Sequence, residues 1–284
     1  MVSVGQQLFG QPQGKRLILV IISLNLIFVV PPRAEGNADE LYFRRVGLRI
    51  SKDLPLRNSE LESLLKGLRF CTGFVELRIE ENGQLDLGDR KHFSGGSKTA
   101  RELLVAAVES RDSFIIEGSK YSPAIAFAEI EPTDIYIDGM KVKHEIWRVR
   151  LDFSDFAYLR GPDKALASFG PAFALLHELG HGVLKKSDFV TKADQLGECE
   201  RHMNLIRQEL GLPERESYRL RGWRGVTPGS SAQSWQAEFI FSMIDEQSNK
   251  KKTFYLAFDV DRVCNVEEIR SLPPGRAEIF VATR

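Results

Sequence analysis

Apolar residues recur at two different spacings along this chain, and the change of spacing divides it. Leu41, Phe43, Val46, Leu48 and Ile50 suggest a first strand. Ser59 to Leu68 then reads as a helix, with Ser59 as cap and Glu62 three residues on. Phe74 to Glu80 alternates apolar with polar, Asn82-Gly83 follows, and Leu85 and Leu87 resume the alternation. Asn-Gly between two alternating runs marks a hairpin. Thr99 to Glu109 carries a helical stripe of Leu103, Leu104, Ala107 and Val108. Strands are expected over 114–117, 124–130, 134–138 and 145–153.

The period then becomes helical. Ala165 to Leu184 reads as one helix rich in apolar residues. A second helix runs from about Asp194 to Leu210 on Leu205, Ile206 and Leu210, and Gly211 and Pro213 stop it. Period 2 returns over Ser234–Glu246 and Lys252–Val260, around a polar turn at Gln247-Ser248-Asn249-Lys250. This predicts a long β-hairpin, and Phe280-Val281-Ala282 adds a last strand. Sheet first, helices next and a hairpin last is an α+β order. The expected fold is a small twisted, mostly antiparallel sheet, a metal-bearing helix, a second ligand helix and a β-rich extension over 230–284.

The candidate chemistry sits in the first long helix, at His177-Glu178-Leu179-Gly180-His181. Histidines at i and i+4 lie one turn apart on one helix face, so their imidazoles can converge on one ion. Two nitrogens and a carboxylate in a hydrolytic site suit Zn²⁺. Glu178 is rotated about 100° from His177, which turns it toward a metal-activated water as general base. A zinc hydrolase needs a third protein ligand and one open position. Glu198, Glu200 and His202 on the second helix are the candidates, and Glu198 and His202 share a face.

These residues resemble the zincin metallopeptidases, and in particular bacterial secreted effector and toxin domains with a downstream glutamate ligand. The resemblance spans 165–220 and rests on His177, Glu178, His181 and the run Asn204, Arg207, Leu210, Gly211, Leu212 and Pro213. It implies Zn²⁺ as cofactor, a protein or peptide substrate, and a substrate cleft between the metal helix and an edge strand, here placed among 124–151. Aligned on Asn204, the ligand glutamate falls on Glu198. Tyr218 is then the residue expected to donate its phenolic proton to the developing oxyanion. The pattern with a third histidine six residues past the second is not met, because position 187 is Ser. A zinc-binding interaction module without turnover is the alternative function.

Composition narrows the choice. The chain has 284 residues and equal numbers of acidic and basic side chains, for a net charge of zero. That points away from a nucleic-acid partner. Cys71, Cys199 and Cys264 are widely spaced, and no C-x-x-C motif offers a cysteine zinc site. Asp259 and Asp261 read as strand-end turn chemistry, Lys250-Lys251-Lys252 as a solvated turn, and Ser94-Gly95-Gly96-Ser97 as a turn too. At the amino terminus, Lys15-Arg16 precede a mostly apolar run, Leu17–Val30, and small residues follow at Ala34 and Gly36. Residues 1–36 are therefore expected to be a secretory signal peptide, with a retained membrane anchor through 17–30 as the alternative. The remainder, 37–284, is expected to be one extracytoplasmic metallohydrolase domain.

Overall fold

The computed structural model describes residues 46–122, 125–137, 140–141, 144–188, 195–226, 233–263 and 277–280. The expected leader or anchor, Cys264 and the strand positions 281–282 lie outside them. None of the described helices is long and apolar enough to cross a membrane. In chain order the first elements are β1 (Gly47–Ile50), α1 (Asn58–Thr72), β2 (Arg78–Ile79), β3 (Leu85–Asp86), α2 (Lys98–Val108), β4 (Ser113–Ser119), β5 (Ala128–Thr133), β6 (Tyr136–Ile137), β7 (Met140–Lys141) and β8 (Ile146–Asp152). Then come α3 (Phe153–Phe156), α4 (Asp163–Ala167), α5 (Pro171–Leu184), α6 (Glu198–Glu209), β9 (Glu214–Arg215), β10 (Arg219–Val226), β11 (Gln233–Asp245), β12 (Lys250–Asp259), α7 (Val260–Val263) and β13 (Ala277–Phe280). The mixed α+β class is what the periodicity predicts.

The first sheet has the order β1-β4-β8-β5. β1, β4 and β8 run parallel, and only the edge strand β5 is antiparallel. This corrects the mostly antiparallel sheet expected from the sequence. Alternation marks a strand but carries no direction. The chain between β1 and β4 holds α1, a hairpin and α2, and a parallel return needs a crossover of that length. The central strand β4 is buried on both faces from Ser113 to Glu117, as a covered parallel strand must be. The edge strand falls inside the window expected for it.

The second sheet, β12-β11-β10-β13 with β9 also on β11, is antiparallel throughout. It contains the long hairpin read from the sequence. Asp259 does serve a turn: its Oδ1 accepts the Asp261 N–H at 3.0 Å.

Two further boundaries differ from expectation. α1 begins at Asn58, and Glu60 rather than Glu62 closes its start by accepting the Arg57 N–H at 2.9 Å. The single helix expected over 165–184 is two. α4 stops at Ala167, and α5 restarts at Pro171 after an extended Gly170. Proline lacks the N–H that a continuing helix needs, yet fits the first position of a new one.

Two cores result. One packs α1, α2, α5 and α6 on the first sheet through residues such as Leu64, Leu104, Phe114, Leu175 and Met203. The other is aromatic and gathers Phe127, Phe239, Phe241, Phe254 and Phe258 around the second sheet. A cleft opens where the two meet.

Candidate metal centre

α5 is apolar on nearly every side, so it can be stable only with both flanks covered. Ala172 to Leu176, Glu178, Leu179, Gly180 and Gly182 are all buried. Gly180 serves the close approach of α6: a Cβ there would lie 2.6 Å from the Cys199 sulfur. The small residue inside the motif thus lets the next helix start against α5.

His177 and His181 stand as their spacing predicts, with Nε2 atoms 3.2 Å apart. Each ring has its other nitrogen beside an acceptor. His181 Nδ1 lies 2.8 Å from the Lys186 carbonyl oxygen, and His177 Nδ1 lies 3.3 Å from Glu200 Oε2. With a cation between the rings, such partners would keep Nδ1 protonated and leave each Nε2 to the ion. Without one, burial opposes the charge on both imidazoles, but the bonds to Asp188 outweigh it and raise their pKa. Two lone pairs aimed at one point repel unless a proton or a cation lies between them.

The third inward atom belongs to Asp188. Its Oδ2 is 2.7 Å from His177 Nε2 and 3.2 Å from His181 Nε2. Ligands at about 2.1 Å around a tetrahedral ion are about 3.4 Å apart, so the three atoms form a triangle near the size of one tetrahedral face. Burial opposes the Asp188 charge, but bonds from the two imidazoles and from Tyr218 hold its carboxyl far below the usual range. His177, His181, Asp188 and Cys199 together form a group able to hold a metal ion, their donor atoms lying within 4.8 Å of one another.

Local structure explains how Asp188 arrives. α5 ends at Lys185 in a left-handed conformation, φ 53° and ψ 33°, and the Lys186 N–H closes on the Gly180 carbonyl at 3.2 Å. The chain reverses there and runs back beside the helix. The start of α6 pins it. The Glu198 N–H donates to the Ser187 carbonyl at 2.8 Å, and a Cβ on Gly197 would lie 2.4 Å from the Asp188 Cα.

The candidate third ligands fare differently. Glu198 is exposed at the first turn of α6 and outside the group; its backbone supports the site and its side chain does not. The structure thus does not bring the expected ligand to the donor group: at the first position of a helix that begins only at 198, its side chain is exposed. His202 is also outside the group. Glu200 is buried, but it stands behind His177, bonded to Arg207 Nη1 at 2.5 Å and to Arg215 Nη1 at 3.4 Å. Burial raises its pKa, yet the two arginines and His177 win and depress it strongly. Cys199 donates its thiol to the His177 carbonyl at 3.0 Å. Sequence reasoning missed Asp188. Its one signal is that it is the first acidic residue after the motif.

Glu178 is buried and lines the cleft. Burial raises its pKa against the pull of His177 and His181. Tyr218 also lines the cleft, but its hydroxyl donates to Asp188 Oδ1. The expected donor to an oxyanion is therefore committed to a carboxylate. Arg215 lines the cleft as well, whereas Trp223 is 37% exposed and does not.

The cleft measures about 750 Å³ with its open mouth. Ala126, Phe127 and Ala128 at the start of the edge strand line it, together with Phe169, Phe239 and Phe258, whose ring centroids lie 5.0, 5.7 and 5.5 Å from that of Phe127. Phe127 has φ 68°, a conformation costly for an aromatic residue. The buried Asp155 holds it there, accepting its N–H at 2.9 Å.

Comparison with protein-family models, with curated proteins and with solved structures gave no match for this chain.

Proposed function

We propose that the protein is a zinc-dependent hydrolase that cleaves peptide bonds. The observation that carries this reading is the inward triangle of His177 Nε2, His181 Nε2 and Asp188 Oδ2, with Glu178 buried beside it on a cleft wall. Two imidazoles and one carboxylate suit Zn²⁺ and leave a fourth position open. When bound there, the ion supplies Lewis acidity, polarising a carbonyl and acidifying water.

The protein's own groups do the rest. Glu178, its pKa lifted by burial, takes the proton of the attacking water and returns it to the leaving amine. His181 and His177 are oriented by Lys186 O and Glu200, and Asp188 by Tyr218. The aromatic walls exclude bulk water and receive an apolar part of the substrate.

Glu178→Gln tests the base. The variant is expected to keep its zinc and to lose about 10²–10⁴-fold in peptide hydrolysis. Cleavage at the wild-type rate would remove Glu178 from that role.

A second reading has its own support, since Cys199 belongs to the group of donor atoms. A thiolate in the fourth position gives a closed, structural site and a binding module without turnover. Cobalt substitution separates the two. A near-ultraviolet thiolate-to-cobalt band that vanishes in Cys199→Ser favours the closed site; its absence from the wild type favours the hydrolase.

A further inference from the structure

Behind the metal centre the cleft contains a charge imbalance. Arg207 and Arg215 are buried, 2% and 8% exposed, and both line the cleft. Among the described residues Glu200 is the one carboxylate that pairs with them, and it also faces His177 Nδ1. Arg207 is well supplied: its Nη1 has Glu200 at 2.5 Å and Asn204 Oδ1 at 2.8 Å, and its Nε donates to the Ser168 carbonyl at 3.0 Å. Arg215 is not. Its Nε reaches the Ser217 carbonyl at 3.2 Å and its Nη1 reaches Glu200 only at 3.4 Å. Among the described residues no hydrogen bond reaches its Nη2. The guanidinium is stacked between the rings of Tyr218 and Phe239, at 4.9 and 4.7 Å, which hold it in place.

Two buried guanidiniums against one carboxylate leave one positive charge over. Such a charge is costly in an apolar cleft unless an anion meets it. Among the described residues neither Glu178 nor Asp188 forms an ion pair with either arginine. The cleft thus offers, side by side, aromatic walls for an apolar group, a cation with a free donor, and the hydrolytic centre. Arg215 is only two contacts from the metal ligand His177, 3.4 Å to Glu200 and 3.3 Å from Glu200 to the ring.

We infer that Arg215 binds the free carboxylate of a peptide's last residue, and that this residue carries a large apolar or aromatic side chain. In a peptide, the group that combines an apolar side chain with a carboxylate one residue from a scissile bond is the carboxyl-terminal residue. The protein is then a carboxypeptidase. Water adds its oxygen to the acyl carbon of the penultimate residue as the C–N bond breaks. One water proton passes through Glu178 to the departing amine, and the last residue leaves as a free amino acid. This specificity rests on the hydrolase reading, but the binding of a carboxylate in the cleft does not.

Calorimetry on the zinc-loaded wild-type protein decides the binding, comparing N-acetyl-phenylalanine with N-acetyl-phenylalaninamide. The acid is expected to bind at least about tenfold tighter, the worth of one charge-assisted hydrogen bond. Arg215→Gln should erase that preference with zinc content and circular dichroism unchanged, and Arg215→Lys should restore part of it. If Arg215→Gln fails to fold, Arg215→Lys decides in its place: a reduced preference for the acid keeps the carboxylate at Arg215, and a preference equal to the wild type's overturns the inference. Equal binding of acid and amide overturns the inference. Cleavage assays separate its failure from that of the hydrolase. Peptides ending in free phenylalanine should release it, while amidated copies stay intact. Equal cutting of amidated and free peptides overturns the inference and leaves the hydrolase standing. No cleavage of any peptide, with acid preference retained, removes the hydrolase and leaves Arg215 as a carboxylate-binding residue.

Discussion

The Tyr218 hydroxyl donates to Asp188 Oδ1, and the other oxygen of that carboxylate lies 2.7 Å from His177 Nε2. A phenol thirty positions away thus orients the carboxylate that completes the donor triangle. Tyr218→Phe removes the bond and keeps the ring that stacks on Arg215. Zinc affinity is expected to fall about 10–100-fold, the usual effect of losing an outer partner. Competition with a chromophoric chelator measures it, and an unchanged affinity sinks the orienting role.

Asp188 and Glu198 make a paired test of the ligand set. Asp188→Ala is expected to leave the purified protein with zinc well below stoichiometry, and Glu198→Ala to leave zinc unchanged. Metal analysis of both variants decides. The reverse result restores the assignment made from sequence alignment.

Gly197 tests the backbone support of the site. An alanine Cβ there would press on the Asp188 backbone at 2.4 Å. Overpacking of this kind costs about 1–3 kcal/mol. Gly197→Ala should weaken zinc binding as well as stability, because the segment that must move carries Asp188. A variant that loses stability but binds zinc as the wild type does would show that the loop yields elsewhere.

How much of this was legible in the sequence depends on the distance over which each feature is encoded. The histidine pair needs only helical spacing, and it is found where predicted. The Asn82-Gly83 hairpin and the 233–259 hairpin are also local, and both form. The parallel course of β1, β4 and β8 depends on which strands pair across long crossovers, and alternation is silent on that. Asp188 is encoded in a reversal: Lys185 turns left-handed and Gly197 leaves room. Neither residue looks like part of a metal site when read along the chain. Glu198 follows from aligning the resemblance on Asn204, which carries no information about where the helix starts. With the helix starting at Glu198, that side chain faces solvent and Glu200 faces inward.

Asp155 gives a pH test independent of any metal. Burial pushes its carboxyl up to about 7, the Phe127 N–H notwithstanding. The unfolded chain releases this proton near pH ~4, so between about 4 and 7 the folded protein holds a proton that the unfolded one lacks. Its contribution to stability is complete below that window and is lost as pH rises through about 7. Asp155→Asn keeps an acceptor for the Phe127 N–H and cannot ionise. Its unfolding free energy, read from denaturant titrations, should gain on the wild type from pH 4 to about 7 and then level off, by an amount on the order of 1–3 kcal/mol at the top. A difference that does not vary with pH rules this out.

The left-handed turn at Lys185 reaches into how the protein matures. It draws all three proposed ligands from twelve consecutive positions, 177–188. Closing so short a span costs the chain little entropy. An ion can therefore be captured while the distant hairpin is still unpaired, and its capture becomes part of the driving force for acquiring structure. A nascent chain deprived of zinc should linger in an open, protease-sensitive form, and one supplied with it should commit early.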